Sequence, residues 1–274
     1  ADNTVDVVYV ATPPHLHREF AEQAMRAGKP VLVEKPMATS AADCDAMIEV
    51  SAETGVPLWV AYYRRALEKF VAIKTAIASG VIGEPRSIIV EFSQDRSRYA
   101  SGDGNGPWRV DPATAGAGII ADMGSHMLDL VDWFFGPISV DSATAVNRAG
   151  DYQAEDVVSA SFIAGTGATG RYVTGAALWD FSGRRETDRT VIRGSEGSIE
   201  YSTFDDRSAT MSSADGTVTE MPNYPFPPHV HQPLVELINA ELRGGAPSPS
   251  TATSGARTNR VLDALVGRYY AAHR

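Results

Sequence analysis

The sequence has little cysteine: Cys44 is the only one in 274 residues, so no disulfide can form within the chain. A reducing, cytoplasmic setting is therefore expected. Long apolar runs are also missing, which argues against a membrane-spanning helix, and no charged segment followed by an apolar one suggests a secretory leader. Positive charge is scarce. With 24 Lys and Arg against 34 Asp and Glu the net charge is −10, and the calculated pI is about 5.1. Such a balance opposes binding along a phosphate backbone, so nucleic acid is not an expected partner. Methionine is absent from the first position, where Ala1 stands, and a strand candidate opens almost at once at Val5. The chain is expected to be processed or to be a piece of a longer one.

What is present is the composition of an ordinary globular protein, 43% hydrophobic and 21% charged, and its length suits two domains. The stretch Val31-Leu32-Val33-Glu34-Lys35-Pro36-Met37-Ala38 organises the first. A short β-branched run of this kind is a buried strand, and it ends abruptly in a carboxylate, an ammonium and a proline. Ligands bind at the carboxyl ends of strands in an open parallel sheet, so Lys35 would sit at the mouth of a cleft. A charged surface turn is the other reading of the same residues.

Val5 to Ala11 is a strand candidate followed by the turn Thr12-Pro13-Pro14, and helical spacing continues from Leu16 to Ala27 with Gly28 behind it. Ser40 with Asp43 starts a second helix in the manner of a capping box, its stripe carrying Cys44, Met47 and Ile48. Pro57 to Tyr63 is a third strand. The order β-α-β-α-β with short links implies parallel strands. Three such strands are half of a doubly wound dinucleotide fold, and the half bearing the glycine fingerprint comes first. It is expected upstream of Ala1. The literal G-x-G-x-x-G at Gly165 to Gly170 lies between two alternating segments with no helix after it, so it is expected at a hairpin tip and not around a phosphate.

A helix is expected over Arg65 to Ser79 and a strand over Arg86 to Gln94. Asp95 to Ala117, rich in Gly, Asp and Pro and carrying Trp108-Arg109, has the composition of a long functional loop. Gly116 to Gly136 is expected to be one helix. Beyond Pro137 several alternating segments predict a large antiparallel sheet, and two helices, Pro233 to Leu242 and Gly255 to Ala272, close the chain. The expected fold is α/β plus α+β. A partial Rossmann unit, a parallel βαβαβ half over 1–64, precedes a domain over 65–274 with a large open, predominantly antiparallel sheet flanked by helices.

Asp122 and His126 are four residues apart, so on a helix both can address one pocket. A structural histidine is the alternative. The spacing also suits a metal, but His15, His17, His229 and His231 belong to other segments and no metal is expected. Arg64-Arg65 could reach a cofactor phosphate or an acidic substrate, or could be a solvated pair.

Val10-Ala11-Thr12-Pro13-Pro14 with His17, Ala27-Gly28-Lys29-Pro30-Val31-Leu32-Val33-Glu34-Lys35-Pro36, Gly80-Val81-Ile82-Gly83 and the segment Gly118 to Asp129 follow one another in a recognisable order. In this the chain resembles the glucose-fructose oxidoreductase and inositol dehydrogenase family, Gfo/Idh/MocA, over essentially its whole length. The resemblance implies an oxidoreductase using NAD or NADP on a small-molecule substrate, a sugar, polyol or related hydroxy compound. It implies catalytic roles for Lys35, Asp122 and His126, and a cofactor site built from Thr12, Pro13, Pro14, His17, Glu34, Lys35, Pro36, Trp108 and Arg109. Pro14 stands where the family usually has asparagine. A homo-oligomer formed through the antiparallel sheet is expected. The chemistry is coherent by itself, since His126 can take a hydroxyl proton while Lys35 stabilises the oxygen left behind. Two alternatives stay open, an NAD-dependent glycoside hydrolase of the same family and a non-catalytic ligand-binding or assembly module.

Overall fold

The computed structural model describes residues 2–100, 107–166 and 171–273. Strand β1 (Val8–Val10), helix α1 (His17–Arg26), β2 (Val31–Val33), α2 (Ala41–Thr54) and β3 (Leu58–Val60) form a parallel sheet of order β1-β2-β3. Alternation decides its two faces. Val31, Val33, Leu58 and Val60 point to one side, where Ala21 and Met25 of α1 and Cys44, Met47 and Val50 of α2 cover them. Leu32, Trp59 and Ala61 point to the other. The Ser40 hydroxyl accepts from the Asp43 amide at 3.1 Å, and Gly55 ends α2 at φ +66°, a value that costs a residue without Cβ nothing.

The chain then leaves the first sheet through a 3-10 turn, Tyr63–Ala66, and α3 (Glu68–Ala78), so the helix expected from Arg65 begins three residues late. Strand β4 (Pro85–Ser93), the short helical turns α4 (Ser97–Ala100) and α5 (Pro112–Ala115), and α6 (Ser125–Phe135) follow. Strands β5 (Ile138–Val146), β6 (Val157–Thr166), β7 (Arg171–Asp180), β8 (Thr187–Gly194), β9 (Gly197–Tyr201), β10 (Thr210–Ser213) and β11 (Val218–Glu220) complete an eight-stranded sheet. Its order is β11-β10-β9-β8-β4-β7-β6-β5. All pairs are antiparallel except β4 with β7, because β4 enters centrally and pairs Val90 with Ala177 on one side and Thr190 on the other. The expected predominantly antiparallel sheet is present, with this one parallel seam. The strands β6 and β7 flanking the G-x-G-x-x-G pair as a hairpin, while residues 167–170 of that motif lie outside the described residues.

One face of the large sheet packs Ile88, Val90, Phe92, Val158, Phe162, Trp179 and Ile192 against Phe70 and Ile73 of α3 and Met127, Leu128, Leu130 and Val131 of α6. The helices α7 (Gln232–Leu242) and α8 (Ala252–Ala272) return to the first sheet. Leu234 and Ile238 of α7 cover the Leu32, Trp59 and Ala61 face. Ala252 and Ala256 of α8 join the opposite cluster. The Ser250 hydroxyl donates to the Val60 carbonyl at 2.6 Å, closing the β3 edge. A boundary at residue 64 therefore separates the two sheets but not their cores. Among the described residues no helix is long and apolar enough to cross a membrane.

Candidate active site

Glu34 and Lys35 follow the last residue of β2, at the carboxyl end of the parallel sheet, and the Lys35-Pro36 peptide is cis. The Lys35 ammonium donates to the Asp122 carbonyl at 2.9 Å and forms an ion pair with Asp122 Oδ1. The other carboxylate oxygen, Oδ2, accepts from Arg109 Nε at 3.1 Å, and the Arg109 guanidinium lies 4.2 Å over the Trp108 ring. Burial works against the Asp122 charge, but Lys35 and Arg109 outweigh it and hold this carboxyl below its ordinary range. Asp122 is thus a fixed anion that orients two cations.

Asp122 is on the expected segment but in a different conformation. Residues Ile120–Gly124 form a π-helical turn that runs into α6, where one continuous helix was expected from Gly116. Two closely packed glycines lead into it. A Cβ on Gly118 would stand 2.6 Å from the Glu155 carbonyl, and Gly116, at φ +88°, would put one 2.7 Å from Thr39 Cα. The glycines let this segment approach two neighbours closely, and the Gly118 amide donates to Glu155 Oε1 at 2.7 Å. A π turn is a frequent mark of functional sites.

Thr12, Pro13, Pro14, Glu34, Lys35, Trp108, Arg109 and Asp122, with Ala11, line one cavity of about 300 Å³. Seven of the nine residues expected around a cofactor converge there. The remaining two do not line it. His17 is fully buried beneath, its Nε2 2.7 Å from the Thr12 carbonyl and its Nδ1 3.0 Å from the Pro36 carbonyl, so it ties the turn after β1 to the turn after β2. Burial pulls its pKa below the ordinary value. Pro36 serves through that carbonyl.

His126 and Asp122 are not bonded to each other. His126, 4% exposed, is not part of the cavity lining, and its ring sits edge-on to Tyr62 at 6.1 Å, Tyr63 at 5.4 Å and Phe204 at 5.8 Å. Its Nδ1 is buried without a hydrogen-bond partner, which leaves Nε2 as the available nitrogen. Burial, and then the positive charges of Arg64, Lys35 and His231, push its pKa well below the usual histidine value.

His231 is the residue that sequence reasoning missed. It precedes α7, and its Nε2 lies 3.1 Å from Glu34 Oε1, while its ring packs on Tyr63 with centroids 4.4 Å apart. Glu34 also accepts from the Tyr9 hydroxyl and, through Oε2, from the Lys35 amide at 3.0 Å. Burial opposes its charge, but His231 and Tyr9 keep its pKa lowered. No spacing linked residue 231 to residue 34. The pair Arg64-Arg65 is neither solvated nor in the cavity, since both side chains are buried.

Glu155, behind the glycine turn, is fully buried and also accepts from the Tyr270 hydroxyl. Burial raises its pKa to about 7 against these donors. A raised carboxyl pKa contributes stability that is complete below about pH 4.5 and lost as the pH rises through about 7. The span corresponds to about 3 kcal/mol. Urea midpoints at about pH 5 and pH 8 are expected to differ in this sense, and Glu155→Gln is expected to flatten the difference. An unchanged slope in the variant would assign the effect elsewhere.

Two family profiles match the chain in part: "Oxidoreductase family, NAD-binding Rossmann fold" over residues 1–62 and "GFO/IDH/MocA C-terminal domain" over residues 70–200. The chain belongs to the GFO/IDH/MocA family. Oxidoreductase P35 of Formosa agariphila is 27% identical over 266 residues, 97% of this chain and 80% of that protein. The 1,5-anhydro-D-fructose reductase of Ensifer adhaerens is 34% identical over 149 residues, 54% of this chain and 43% of that reductase. Levoglucosan dehydrogenase in complex with NADH and levoglucosan superposes with a TM-score of 0.79 at 25% identity, covering 97% of this chain and 78% of the dehydrogenase. A GFO/IDH/MocA member is an NAD-binding oxidoreductase, and the parallel sheet described above is the part of this chain that the NAD-binding profile matches. The cavity suits the nicotinamide end of the dinucleotide, being small, at the carboxyl end of parallel strands, and lined by an indole and by fixed charges.

Proposed function

We propose that this protein moves hydride between a nicotinamide and a secondary alcohol or carbonyl of a sugar, polyol or related hydroxy compound. The observation that carries this reading is the convergence of Thr12, Pro13, Pro14, Glu34, Lys35, Trp108, Arg109 and Asp122 on one cavity. Support for the substrate class comes from the relatives, among them an anhydrofructose reductase and a levoglucosan dehydrogenase. NAD or NADP, when bound, supplies the hydride acceptor or donor. The chain supplies the proton chemistry. In the oxidative direction the hydroxyl proton passes to His126 Nε2 as the carbon gives up its hydride and the C–O bond becomes double. Lys35, held by Asp122, stabilises the negative charge growing on that oxygen. Arg109 keeps Asp122 ionised once substrate competes for Lys35. Carbonyl reduction runs the same groups backwards.

His17 positions the two cofactor turns from below, and Glu34 joins the turn after β2 to His231. We place the protein in the cytoplasm, on its single buried thiol Cys44. We assign a homo-oligomer contact to the open face of the large sheet, where Ile163, Tyr172 and Leu178 are exposed.

The test is a calorimetric or fluorescence titration with NADH and with NADPH, followed by turnover of inositols, anhydro sugars and aldoses. Saturable binding of one nucleotide and reduction of its oxidised form by a cyclic polyol are expected. Absence of binding by both nucleotides overturns the reading.

A further inference from the structure

Arg64 is an unusual residue to find buried. Its Nε donates to the Thr203 carbonyl at 2.9 Å, its guanidinium lies 4.8 Å from the Tyr63 ring centre and 4.4 Å from that of Phe204, and Nη1 has no hydrogen-bond partner. Among the described residues it forms no ion pair, although its side chain is only 4% exposed in the folded chain. A buried guanidinium without a carboxylate is a standing cost to the fold. The two rings that sandwich it are also two of the three that enclose His126. The charged groups acting on His126 come from three directions and are all basic: Arg64 from the turn after β3, Lys35 from the end of β2 and His231 from the approach to α7. The carboxylates on its own segment are engaged elsewhere, Asp122 with Lys35 and Arg109, and Asp129 with Arg65.

We propose that Arg64 is a positioning residue for this site: seated between Tyr63 and Phe204, it adds to burial in keeping His126 a neutral imidazole with Nε2 open to a proton. The arrangement inverts the familiar carboxylate-histidine pair. A carboxylate beside an imidazole stabilises the charged form, whereas a neighbouring guanidinium disfavours it, so the imidazolium formed by taking the substrate's hydroxyl proton is a stronger acid than a free one and returns to neutral by losing that proton from Nε2 to solvent. The kinetic part of this proposal rests on the hydride-transfer reading, and the electrostatic part stands without it.

The decisive experiment is an NMR titration of the His126 ring in the intact chain, assigned by the signal lost in His126→Gln. It is carried out on the native sequence, Arg64→Met and Arg64→Lys. In the native chain His126 is expected to stay neutral well below the pH at which an ordinary histidine takes up a proton. In Arg64→Met its midpoint is expected to rise by about one unit or more toward the ordinary histidine range, and Arg64→Lys is expected to restore the native behaviour. The acid limb of the kcat/KM profile should move with it. An NMR shift without turnover of any polyol supports the role of Arg64 and removes the hydride-transfer reading. Protonation of His126 near neutral pH in the native chain overturns the proposal, and so does an unmoved midpoint in Arg64→Met. Should Arg64→Met fail to fold, Arg64→Gln takes its place with the same expected rise, and an unmoved midpoint there overturns the proposal.

Discussion

Replacing Lys35 with methionine is expected to lower kcat for polyol oxidation by roughly 10²- to 10⁴-fold. Methionine keeps the length and removes the charge. Asp122 retains Arg109 as a partner at 3.1 Å, so the variant leaves no uncompensated carboxylate in the cavity. The loss should fall on kcat and kcat/KM together, because an ammonium facing a developing alkoxide acts mainly in the transition state. Nucleotide affinity should change little, since Thr12, Pro13, Pro14 and Trp108 still line the cavity. A variant with kcat within a few-fold of the native value would remove Lys35 from the reaction.

The second large effect concerns stability. Arg65 holds Asp129 with two hydrogen bonds, at 2.9 Å through Nε and 2.7 Å through Nη2, and reaches Asp132 at 3.2 Å and the Pro249 carbonyl at 3.0 Å. Arg257 of α8 closes the network on Asp132 with two bonds of 2.7 Å. The Arg65 and Asp129 side chains are 3% and 1% exposed, so solvent screens this pair very little. Arg65→Met strands a buried carboxylate and is expected to cost about 3–5 kcal/mol. For a chain of this size that lowers Tm by roughly 10 °C. The double variant Arg65→Met with Asp129→Leu should recover much of the loss, because an apolar pair needs no counter-charge. If the double variant is as unstable as the single one, packing around the guanidinium, and not charge, holds this junction.

Where pattern and period governed the outcome, the sequence was a good guide. Val31, Val33, Leu58 and Val60 alternate as buried parallel strands must, and Ser40 with Asp43 marked the start of α2 correctly. The turns at Thr12-Pro13-Pro14 and Glu34-Lys35 could be placed at strand ends, and with Trp108-Arg109 they line one cavity. What was not legible depends on contacts distant along the chain. The π turn at Ile120–Gly124 follows Gly118, which is seated against Glu155, a neighbour that helical periodicity does not contain. Asp122 and His126 share a segment but answer to different partners, the first to two cations and the second to three aromatic rings. Arg64 and Arg65 are adjacent in sequence and read equally as ligand contacts or a solvated pair, yet the folded chain provides an aromatic sandwich for one and two carboxylates for the other. His231 was weighed only as a metal ligand, and its link to the site could not be read because its partners Glu34 and Tyr63 are far upstream.

The return of α7 and α8 to the parallel sheet has a consequence for biosynthesis. Leu32, Trp59 and Ala61 leave the ribosome early, but Leu234 and Ile238, which shield them, are made much later, as are Ala252 and Ala256 for the opposite face. An emerging nascent chain therefore carries an uncovered apolar sheet surface until the residues from 234 onward follow. Contacts of such long sequence separation also make closure slow. Vectorial synthesis therefore leaves the first unit unfinished until its two closing helices have emerged.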